Sequence, residues 1–597
     1  METCIVTTPI RPKPTVFPPF GSMAIIQSLR NDNKKCSFYN IDYHRYDREE
    51  VKRYLKEKNY DIIGISAVVS TAYEYTKFLC ETIRSINPNT IIIVGGGLCA
   101  SAEVLHRKSM VDYCVIGDGE IIIKNLVNAI IENRVTDEDL LKIKGITFID
   151  KKDKFRFTGY GHPLPAPLLE EPDFEILRED NSLDFFISPR GGRSYDPEKN
   201  FKEGNSCLVI VAKGCVARCT FCHRFEKGYR VNPLEKIKNH LIKLRDVYNV
   251  RYISIGDENF GSYKEETKEL AKMLGELGFV WTVGGVRAHT VDYESLKLWR
   301  DNGCEVVLYG IESGSEKMLK VMEKKITRSQ NIQALKDTYD AGLSTVIQLV
   351  IGMPGETDET IEETIDFLIE TMKYYPEPFR KNINYLISIN YAQSLPGTPL
   401  YEYARENGYL EKSLDAEEKY LISISDKDAY DNEHFINFTQ QPLLKVLSWR
   451  YWINWKIFRE HVKQHLKIDI SKSKMLYGFI SMVLNKFFKI KIKSELEATL
   501  DKYSYSQKNP NYNFQTYPKV TDALRLLIPW NKYTYPFILL LVAYKESMNV
   551  KWFFKMIFEH IVWSSKKFNQ ENLPSQTLRK TVTISDDDET VEIRKGR

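Results

Sequence analysis

The sequence lacks the features of an exported or membrane-spanning protein. Its first residues, Met1–Val6, carry neither the basic nor the apolar region of a secretory signal. The late apolar run Pro536–Ala543 is too short to span a bilayer. Cysteine is scarce, with 10 in 597 residues and none after Cys304, so no disulfide framework is indicated. Together these absences predict a cytoplasmic protein in a reducing compartment.

What is present is the composition of a large globular protein. Hydrophobic residues make up 43% and charged residues 27% of the chain. The length corresponds to about three to four domains. From the patterns described below we predict five segments. They are an N-terminal domain at 1–138, a connector at 139–204, a core domain at 205–430, a helical domain at 431–572 and a disordered tail at 573–597.

The most informative segment is a short polar stretch that follows a strand-like run, Cys207–Ala212. Within eight residues it holds three thiols, those of Cys215, Cys219 and Cys222. Cubane iron–sulfur clusters are bound by cysteine thiolates, and three protein ligands leave one iron open. The spacing therefore indicates a cluster that can bind a further molecule.

Two other interpretations of these thiols remain open. They could be buried core cysteines, although Gly214, Arg218 and Thr220 make the stretch polar. They could instead hold zinc, which usually takes a fourth Cys or His. His223 is adjacent to Cys222, so both could bind one ion only under strain.

The spacing Cys-x3-Cys-x2-Cys, with Phe221 before the third cysteine, resembles the signature of the radical S-adenosylmethionine (radical SAM) enzymes. The resemblance implies a [4Fe-4S] cluster on the three cysteines and SAM bound to its open iron. It also implies reductive cleavage of SAM to a 5′-deoxyadenosyl radical, with electrons from a partner such as a flavodoxin or ferredoxin.

The first 135 residues alternate strand and helix patterns, which predicts a doubly wound parallel sheet. The predicted strands are Cys4–Ile10, Cys36–Ile41, Asp61–Ala67, Thr90–Val94 and Val111–Ile116. The predicted helices are Met23–Arg30, Arg48–Lys58, Ala72–Ile86 and Ala102–Lys108. In such folds ligands bind beyond the carboxyl ends of the strands.

Three features follow those strand ends: Ser66, the run Gly95, Gly96 and Gly97, and the segment Gly117–Glu120. A glycine run alone commonly marks a turn. In this order, ahead of the cysteine segment, the features resemble the cobalamin-binding domain of cobalamin-dependent radical SAM enzymes. The resemblance implies that the glycines accommodate the nucleotide tail of cobalamin and that Ser66 lies near it.

A histidine that could ligate cobalt is not expected in this domain. Cobalamin proteins with such a ligand carry Asp-x-His-x-x-Gly after the first strand, whereas Asp42-Tyr43-His44 follows the second strand and Asp47 replaces the glycine. We predict that His44 lies in a surface loop and does not bind cobalt.

The connector contains a predicted strand pair around Ile146–Phe157 and then several prolines, which predict an extended linker. The core then repeats the strand–helix alternation six times and predicts a partial (β/α)6 barrel, as in radical SAM enzymes. Its predicted strands are Cys207–Ala212, Tyr252–Ile255, Val280–Val286, Glu305–Tyr309, Ser344–Val350 and Tyr385–Asn390.

Polar motifs follow the ends of these barrel strands. Their resemblance to radical SAM motifs implies contacts with SAM by Asp257, Glu258, Asn259, Arg287, Glu312, Ser313 and Gly352. A salt bridge between Arg287 and Glu312 is the alternative. No catalytic acid or base can be assigned, and Cys304, tyrosines and glutamates near strand ends are unranked candidates.

The last third of the chain is basic and aromatic. Residues 441–570 hold 22 Lys and Arg against 8 Asp and Glu, so this segment carries +14 and the rest of the chain −10. Helical patterns occur at Leu443–His465, Lys474–Phe488 and Trp552–Trp563. Such helices could cap the barrel, or contact a membrane surface or a large anionic substrate. No nucleic-acid-binding module is recognisable.

These features predict an α/β enzyme with a C-terminal helical domain and the cofactors [4Fe-4S], SAM and cobalamin. By resemblance, it is a C-methyltransferase: one SAM supplies the radical that activates a substrate carbon, methylcobalamin supplies the methyl group, and a second SAM restores it. Two alternatives are a cyclase or rearrangement enzyme with the same cofactors, and a non-catalytic cobalamin or iron–sulfur sensor. The substrate class stays open between peptides, lipids, tetrapyrroles and small natural-product intermediates.

Overall fold

The computed structural model describes residues 1–189, 204–223, 228–376, 380, 387–429, 435–466 and 550–564. The N-terminal part begins with alternating strands and helices. Its strands are β1 (Thr3–Thr7), β2 (Cys36–Asn40), β3 (Ile62–Ser66), β4 (Ile91–Gly95), β5 (Tyr113–Val115), β6 (Ile146–Ile149) and β7 (Phe155–Phe157). Its helices are α1 (Phe20–Asn31), α2 (Ile41–His44), α3 (Arg48–Lys58), α4 (Tyr73–Ile86), α5 (Ala102–Ser109), α6 (Gly119–Ile131) and α7 (Asp137–Leu140).

The seven strands form one sheet in the order β2-β1-β3-β4-β5-β6-β7. The strands from β2 to β5 in this order are parallel. Their order reverses between β1 and β3, which is the switch point where ligands bind in doubly wound sheets. The predicted strands are confirmed, and the crevice they create lies beside the ends of β1 and β3.

The strands of the first 135 residues form the predicted parallel sheet, and an antiparallel edge is added to it. Strands β6 and β7, which were predicted in the connector, add to the sheet in antiparallel pairs. A short turn joins β6 to β7, and a connection of that length permits only an antiparallel pair. The N-terminal sheet is therefore mixed and extends into the predicted connector.

The connector is also more ordered than its prolines predict. It contains helices α8 (Glu175–Glu179) and α9 (Leu183–Phe186). Phe174, between the prolines and α8, is 1% exposed, and its ring centroid lies 5.7 Å from that of His240 in the barrel. The prolines prevent long regular elements, but the apolar residues among them still bury themselves against the barrel.

The core has the predicted six-stranded partial barrel. Its parallel sheet has the order β15-β14-β13-β12-β11-β8. These strands are β8 (Asn205–Val209), β11 (Val250–Ile255), β12 (Val280–Val286), β13 (Cys304–Glu312), β14 (Ser344–Ile351) and β15 (Ile387–Tyr391). Strands β9 (Ala212–Lys213) and β10 (Arg230–Val231) form a small antiparallel pair on either side of the cysteine segment.

Helices connect the barrel strands and cover their outer face. They are α10 (Leu234–Tyr248), α11 (Lys264–Glu276), α12 (Tyr293–Asp301), α13 (Glu316–Val321), α14 (Arg328–Asp340) and α15 (Asp358–Thr371). Short 3₁₀ turns lie at Ser70–Ala72, Gly97–Ser101, Ala166–Leu168, Ala288–Thr290 and Met372–Tyr374. Every strand therefore ends at one rim of the barrel, where the connecting loops carry the polar motifs.

Within the described residues, four further helices follow the barrel: α16 (Pro399–Glu406), α17 (Leu414–Ile424), α18 (Leu443–His461) and α19 (Val550–Ser564), with a π-helical turn at Val462–Leu466 after α18. Helix α18 packs on α15, where the Trp449 indole donates a hydrogen bond of 2.8 Å to Asp358. A barrel-capping role is thus confirmed for α18. The predicted helix at Lys474–Phe488 and the tail at 573–597 lie outside the described residues.

Among the described helices, none combines the length and apolar character needed to cross a membrane.

Candidate active site at the junction of the two sheets

The cysteine segment is held against the barrel by Thr220. This residue is fully buried, its N–H donates to the Met322 carbonyl at 3.0 Å, and its hydroxyl donates to the Val321 carbonyl at 3.0 Å. The Thr220 carbonyl in turn accepts from the N–H of Leu400 at 2.9 Å. The segment is therefore pinned between α13 and α16, which explains a threonine among the cysteines.

The three cysteines differ in exposure, since Cys215 and Cys219 are half-buried and Cys222 is exposed. Burial raises the pKa of the Cys215 thiol, and the nearby Glu258 carboxylate acts in the same direction. Phe221 is half-buried and packs on a cluster that includes Met318 and Met353. Among the described residues, no three His, Cys, Asp or Glu side chains are grouped so as to hold a metal ion by themselves.

Asp257 positions the start of the cysteine segment. It is 4% exposed, and its Oδ1 accepts hydrogen bonds from the N–H groups of Val211 (2.9 Å) and Ala212 (3.2 Å). Its Oδ2 has no hydrogen-bond partner within the described part of the chain. Burial raises the pKa of Asp257 to about 7. Asp257 Oδ1 thus holds the backbone that leads into the cysteine segment, and Oδ2 is buried and available to a ligand.

Asn259 and Glu258 follow Asp257 but differ in setting. Asn259 is fully buried, donates to the Ser262 hydroxyl at 2.6 Å, and its Oδ1 has no partner among the described residues. Glu258 is exposed. The loop is anchored by Phe260, whose ring lies 5.3 Å from that of Trp299 in a buried aromatic cluster. Burial of such a ring contributes about 2 kcal/mol to stability, so the loop geometry is firmly held.

A charged network surrounds Cys219. Arg287 Nη1 lies 3.8 Å from Cys219 Sγ, and Arg287 Nη2 donates to the Lys324 carbonyl. Lys324 Nζ lies 3.2 Å from Glu312 Oε1, and both of these side chains are about one-tenth exposed. Glu312 therefore pairs with Lys324, and the Arg287–Glu312 salt bridge considered as an alternative is not the pairing present.

Lys324 is the residue of this network that sequence reasoning missed. Burial alone would lower its pKa, but the charges of Glu312 and Cys219 raise the pKa above the ordinary lysine value. Glu312 has φ +66°, an unusual conformation for a residue other than glycine and one often found at functional sites. Lys324 lies 12 residues after the end of β13, and only the turn after α13 brings it back beside Glu312. The sequence therefore gives no signal that these two residues are neighbours.

Ser313 and Gly352 occupy well-defined turns. The Ser313 hydroxyl lies 3.1 Å from that of Thr364, so it joins the β13 turn to α15. Gly352 has φ +86°, and its N–H donates to the buried carboxylate of Glu356. Burial raises the pKa of Glu356 to about 8. These turns shape the rim where the resemblance implies contacts with SAM.

The N-terminal site residues meet at the switch point of the first sheet. Ser66 and Gly95 are paired in the register of β3 and β4, and the Thr8 hydroxyl donates to the Ser66 carbonyl at 3.1 Å. A Cβ added at Gly95 would meet nothing within 4 Å, which leaves open space there. This space at the end of β4 is a cradle that a ligand could fill.

Gly96 and Gly97 are required because neighbouring parts of the chain pack closely against them. Gly96 has φ +102°, and a Cβ there would lie 2.4 Å from the Ala67 carbonyl oxygen. A Cβ at Gly97 would lie 2.5 Å from the Val68 oxygen and 2.6 Å from His223 Cε1. Close packing therefore explains these two glycines, and within the run Gly95–Gly97 the open space lies at Gly95.

The remaining predicted features have structural partners. Within Gly117–Glu120, Asp118 forms a 2.6 Å ion pair with Arg230, and Glu120 pairs with Lys213. His44 ends α2 instead of lying in a loop, and its Nε2 is 2.8 Å from the Asp180 carbonyl oxygen. That it does not bind cobalt stays a prediction.

Cys304 can be removed from the catalytic candidates. It begins β13, at the end of the barrel opposite the polar rim, and is fully buried. Burial raises the pKa of its thiol far above the ordinary value.

Comparison with known families agrees with this geometry. Residues 209–368 match the radical SAM superfamily, and residues 12–127 match the B12 binding domain. The two matches fall on the barrel with its cysteine segment and on the N-terminal sheet. The chain is an enzyme that joins a B12 binding domain to a radical SAM domain.

The chain is similar to named proteins at about one quarter sequence identity. An uncharacterised methyltransferase of Pyrococcus horikoshii is 27% identical over 409 residues, which cover 66% of this chain and 80% of the relative. An anaerobic magnesium-protoporphyrin IX monomethyl ester cyclase of Rubrivivax gelatinosus is 26% identical over 326 residues, or 53% of this chain. The aligned region spans about half of that cyclase, 55% of its length.

Two solved structures share the fold of this radical SAM enzyme. The cobalamin-dependent radical enzyme OxsB, with aqua-cobalamin and SAM bound, has a TM-score of 0.59 at 14% identity, over 100% of this chain and 83% of that one. The radical SAM methyltransferase TsrM of Kitasatospora setae has a TM-score of 0.52 at 17% identity, over 68% of this chain and 75% of that one.

The cofactors of this enzyme are a [4Fe-4S] cluster, SAM and cobalamin, and its residues suit them. Three thiols on one segment are the donor set for a cubane with an open iron. The buried oxygens of Asp257 and Asn259 that have no partner in the described part of the chain are acceptors that a cationic amine would satisfy. The open space at Gly95 suits part of a large organic cofactor.

Proposed function

We propose that this enzyme is a C-methyltransferase that acts on an unactivated carbon. The observation that carries the proposal is the direct contact between the cysteine segment and the glycine turn of the B12 domain, through His223 and Gly97. A radical source and a methyl donor must reach the same substrate carbon, and this contact brings their two binding loops together.

When bound, the cluster and SAM supply a 5′-deoxyadenosyl radical that takes hydrogen from carbon, and methylcobalamin supplies the methyl group. The contribution of the protein is binding, orientation and exclusion of competing reactions. We assign the cluster to Cys215, Cys219 and Cys222. We assign SAM to the rim formed by Asp257, Glu258, Asn259, Arg287, Glu312, Ser313 and Gly352, and to Phe221.

Each charged group at this rim has a separate task in the proposal. The Asp257 and Asn259 oxygens accept from the SAM amine, while Arg287 and Lys324 place positive charge near Cys219 and the SAM carboxylate. Glu312 holds Lys324 in place and offers its second oxygen to ribose hydroxyls. Ser66 and Gly95 border the cobalamin space, and Gly96 and Gly97 shape its turn.

The test uses SAM with a trideuterated methyl group and no substrate. Wild-type protein, reconstituted anaerobically with iron, sulfide and cobalamin, is reduced with dithionite and assayed for 5′-deoxyadenosine, S-adenosylhomocysteine and labelled methyl on cobalamin. We expect all three. Cys219→Ala should lose deoxyadenosine, because one cluster ligand is removed. Deoxyadenosine without labelled methyl on cobalamin would contradict methyl transfer.

A second candidate keeps the cofactors but forms a ring or rearranges the substrate without methyl transfer. The similarity to the Rubrivivax cyclase favours it. It predicts deoxyadenosine alone in the same assay, so the labelled methyl separates the two candidates. The sensor hypothesis predicts no SAM cleavage at all.

Radical SAM enzymes need a reductant and a substrate. We propose a flavodoxin or ferredoxin as the electron donor. For the basic C-terminal helices we propose contact with a large or anionic substrate or a membrane surface, in addition to the packing of α18 on the barrel. Titration of activity with purified flavodoxin and ferredoxin tests the first assignment.

A further inference from the structure

The imidazole of His223 occupies a slot between the two halves of the enzyme. His223 directly follows Cys222, the last cluster cysteine. On one side its Cε1 is 2.6 Å from the position of a Cβ at Gly97, in the turn after β4. On the other side its Nε2 is 3.4 Å from the position of a Cβ at Gly397. Gly97 therefore makes room for this ring, and a Cβ at Gly397 would be in ordinary contact with its other side.

The second glycine belongs to the segment that closes the barrel. Gly397 has φ +88°, and a Cβ there would also lie 3.0 Å from the Cβ of Ala100 in the B12 domain. The half-buried ring thus lies between the B12 domain and the barrel. A ring packed between two domains passes a shift of one domain on to the other, because packed protein interiors have low compressibility.

The two ends of the cysteine segment are tied to the same domain. Before the cysteines, Lys213 in β9 pairs with Glu120 at the start of α6. After them, Arg230 in β10 pairs with Asp118 at 2.6 Å, and these side chains are 14% and 6% exposed. With His223 in the middle, the segment touches the B12 domain at three points.

We infer that His223 is a positioning residue that couples the cluster site to the cobalamin site. Assembly of the cluster fixes Cys222, and with it His223 and the turn that contains Gly97. That turn borders the cobalamin space, so an ordered cluster segment should favour cobalamin binding. The inference rests on the assigned cofactors and not on methyl transfer, so the labelled-methyl assay can fail without affecting it.

Coupling of this kind is a measurable and reciprocal free energy. The first measurement is the dissociation constant of hydroxocobalamin, by absorbance titration, for full-length protein with and without a reconstituted cluster. We expect cluster assembly to tighten binding about tenfold, which is within the usual range for coupled sites. By reciprocity, cobalamin should protect the cluster from a chelator by the same factor at equilibrium.

The decisive variant is His223→Ala. We expect cobalamin affinity without the cluster to stay within about twofold of wild type, and the tightening by the cluster to fall to nearly onefold, because the contact that transmits it is gone. His223→Asn keeps a polar side chain in the slot and should restore part of the coupling. It replaces the alanine variant in this experiment if His223→Ala does not fold. His162→Ala, a change at an exposed connector histidine, is the matched control and should couple like wild type.

Three outcomes would overturn the inference. One is equal cobalamin affinity in wild type with and without the cluster. Another is full coupling in both His223 variants. The third is an axial-nitrogen signal in the EPR spectrum of bound cob(II)alamin that disappears in His223→Ala, which would make His223 a cobalt ligand instead of a positioning residue.

Discussion

Single buried carboxylates hold the rim of this active site in shape. Glu356 is 1% exposed, and its Oε2 accepts from the N–H of Gly352 and from that of Met353 at 3.3 Å. Burial raises its pKa from 4.5 to about 8, although both hydrogen bonds act in the opposite direction. The folded protein therefore holds this proton at neutral pH, where the unfolded chain has released it.

This difference in proton binding predicts a pH dependence. Between about pH 4.5 and pH 8 the folded state binds more protons at Glu356, so its stability falls as pH rises. The slope is up to about 1.4 kcal/mol per pH unit for one group. Glu356→Gln keeps a carbonyl acceptor but cannot ionise, so we expect its stability to rise relative to wild type from pH 5 to pH 8, measured by urea unfolding.

The control for this experiment is Glu363→Gln, because Glu363 is exposed on helix α15. Its stability difference from wild type should stay constant across the same pH range. A constant difference for Glu356→Gln as well would contradict a buried, protonated Glu356.

At the scale of elements, the pairing of helices α15 and α18 explains part of the charge segregation seen in the sequence. Helix α15 carries Asp358 and Glu362 on the surface that meets α18. From α18, Trp449 and Trp452 donate indole hydrogen bonds to these carboxylates, and Lys456 lies 3.7 Å from Glu362. A basic aromatic helix therefore packs on an acidic one.

We expect Trp449→Phe to destabilise the enzyme by about 2 kcal/mol, because a hydrogen bond to a charged group is lost together with buried surface. Trp455→Phe is the matched control. Trp455 is also buried, at 4% exposure, but its indole N–H has no hydrogen-bond partner among the described residues. The control should cost about 1 kcal/mol less in thermal or urea unfolding. Equal losses would show that the hydrogen bond to Asp358 contributes nothing.

At the scale of the molecule, the two sheets share one continuous core. Apolar residues of the N-terminal sheet, such as Ile5 and Ile93, belong to the same buried cluster as Val283 and Ile347 of the barrel. The Arg230–Asp118 pair lies across this junction. We therefore regard the two cofactor domains as one cooperative unit.

That view predicts the effect of Arg230→Met. Removing the guanidinium leaves Asp118 as a buried charge without its main partner, which costs about 3 kcal/mol or more. We expect calorimetry of the variant to show the two domains unfolding in separate transitions, where wild type shows one. Arg245→Met removes an arginine whose side chain is 31% exposed and whose ion pair is with its neighbour Asp246, and it is the control. A single unshifted transition in Arg230→Met would contradict the cooperative junction.

The sequence by itself determined the elements and the order of the cofactor loops. Alternation of apolar runs with amphipathic stretches predicted the strands of both sheets, because strand and helix periods are local properties. The cysteine spacing and the polar residues after strands placed Asp257, Arg287 and Glu312 at the rim, since parallel strands end on one side of a sheet.

Only the tertiary structure decided the partners of these residues. Lys324, Glu356 and His223 reach the site through turns and domain contacts, and no periodicity records which side chains meet across such distances. The same holds for Gly96 and Gly97, which close packing requires, and for the connector, whose apolar anchors find a surface only once the barrel exists. Local pattern sets what each segment becomes, whereas long-range packing sets what it touches.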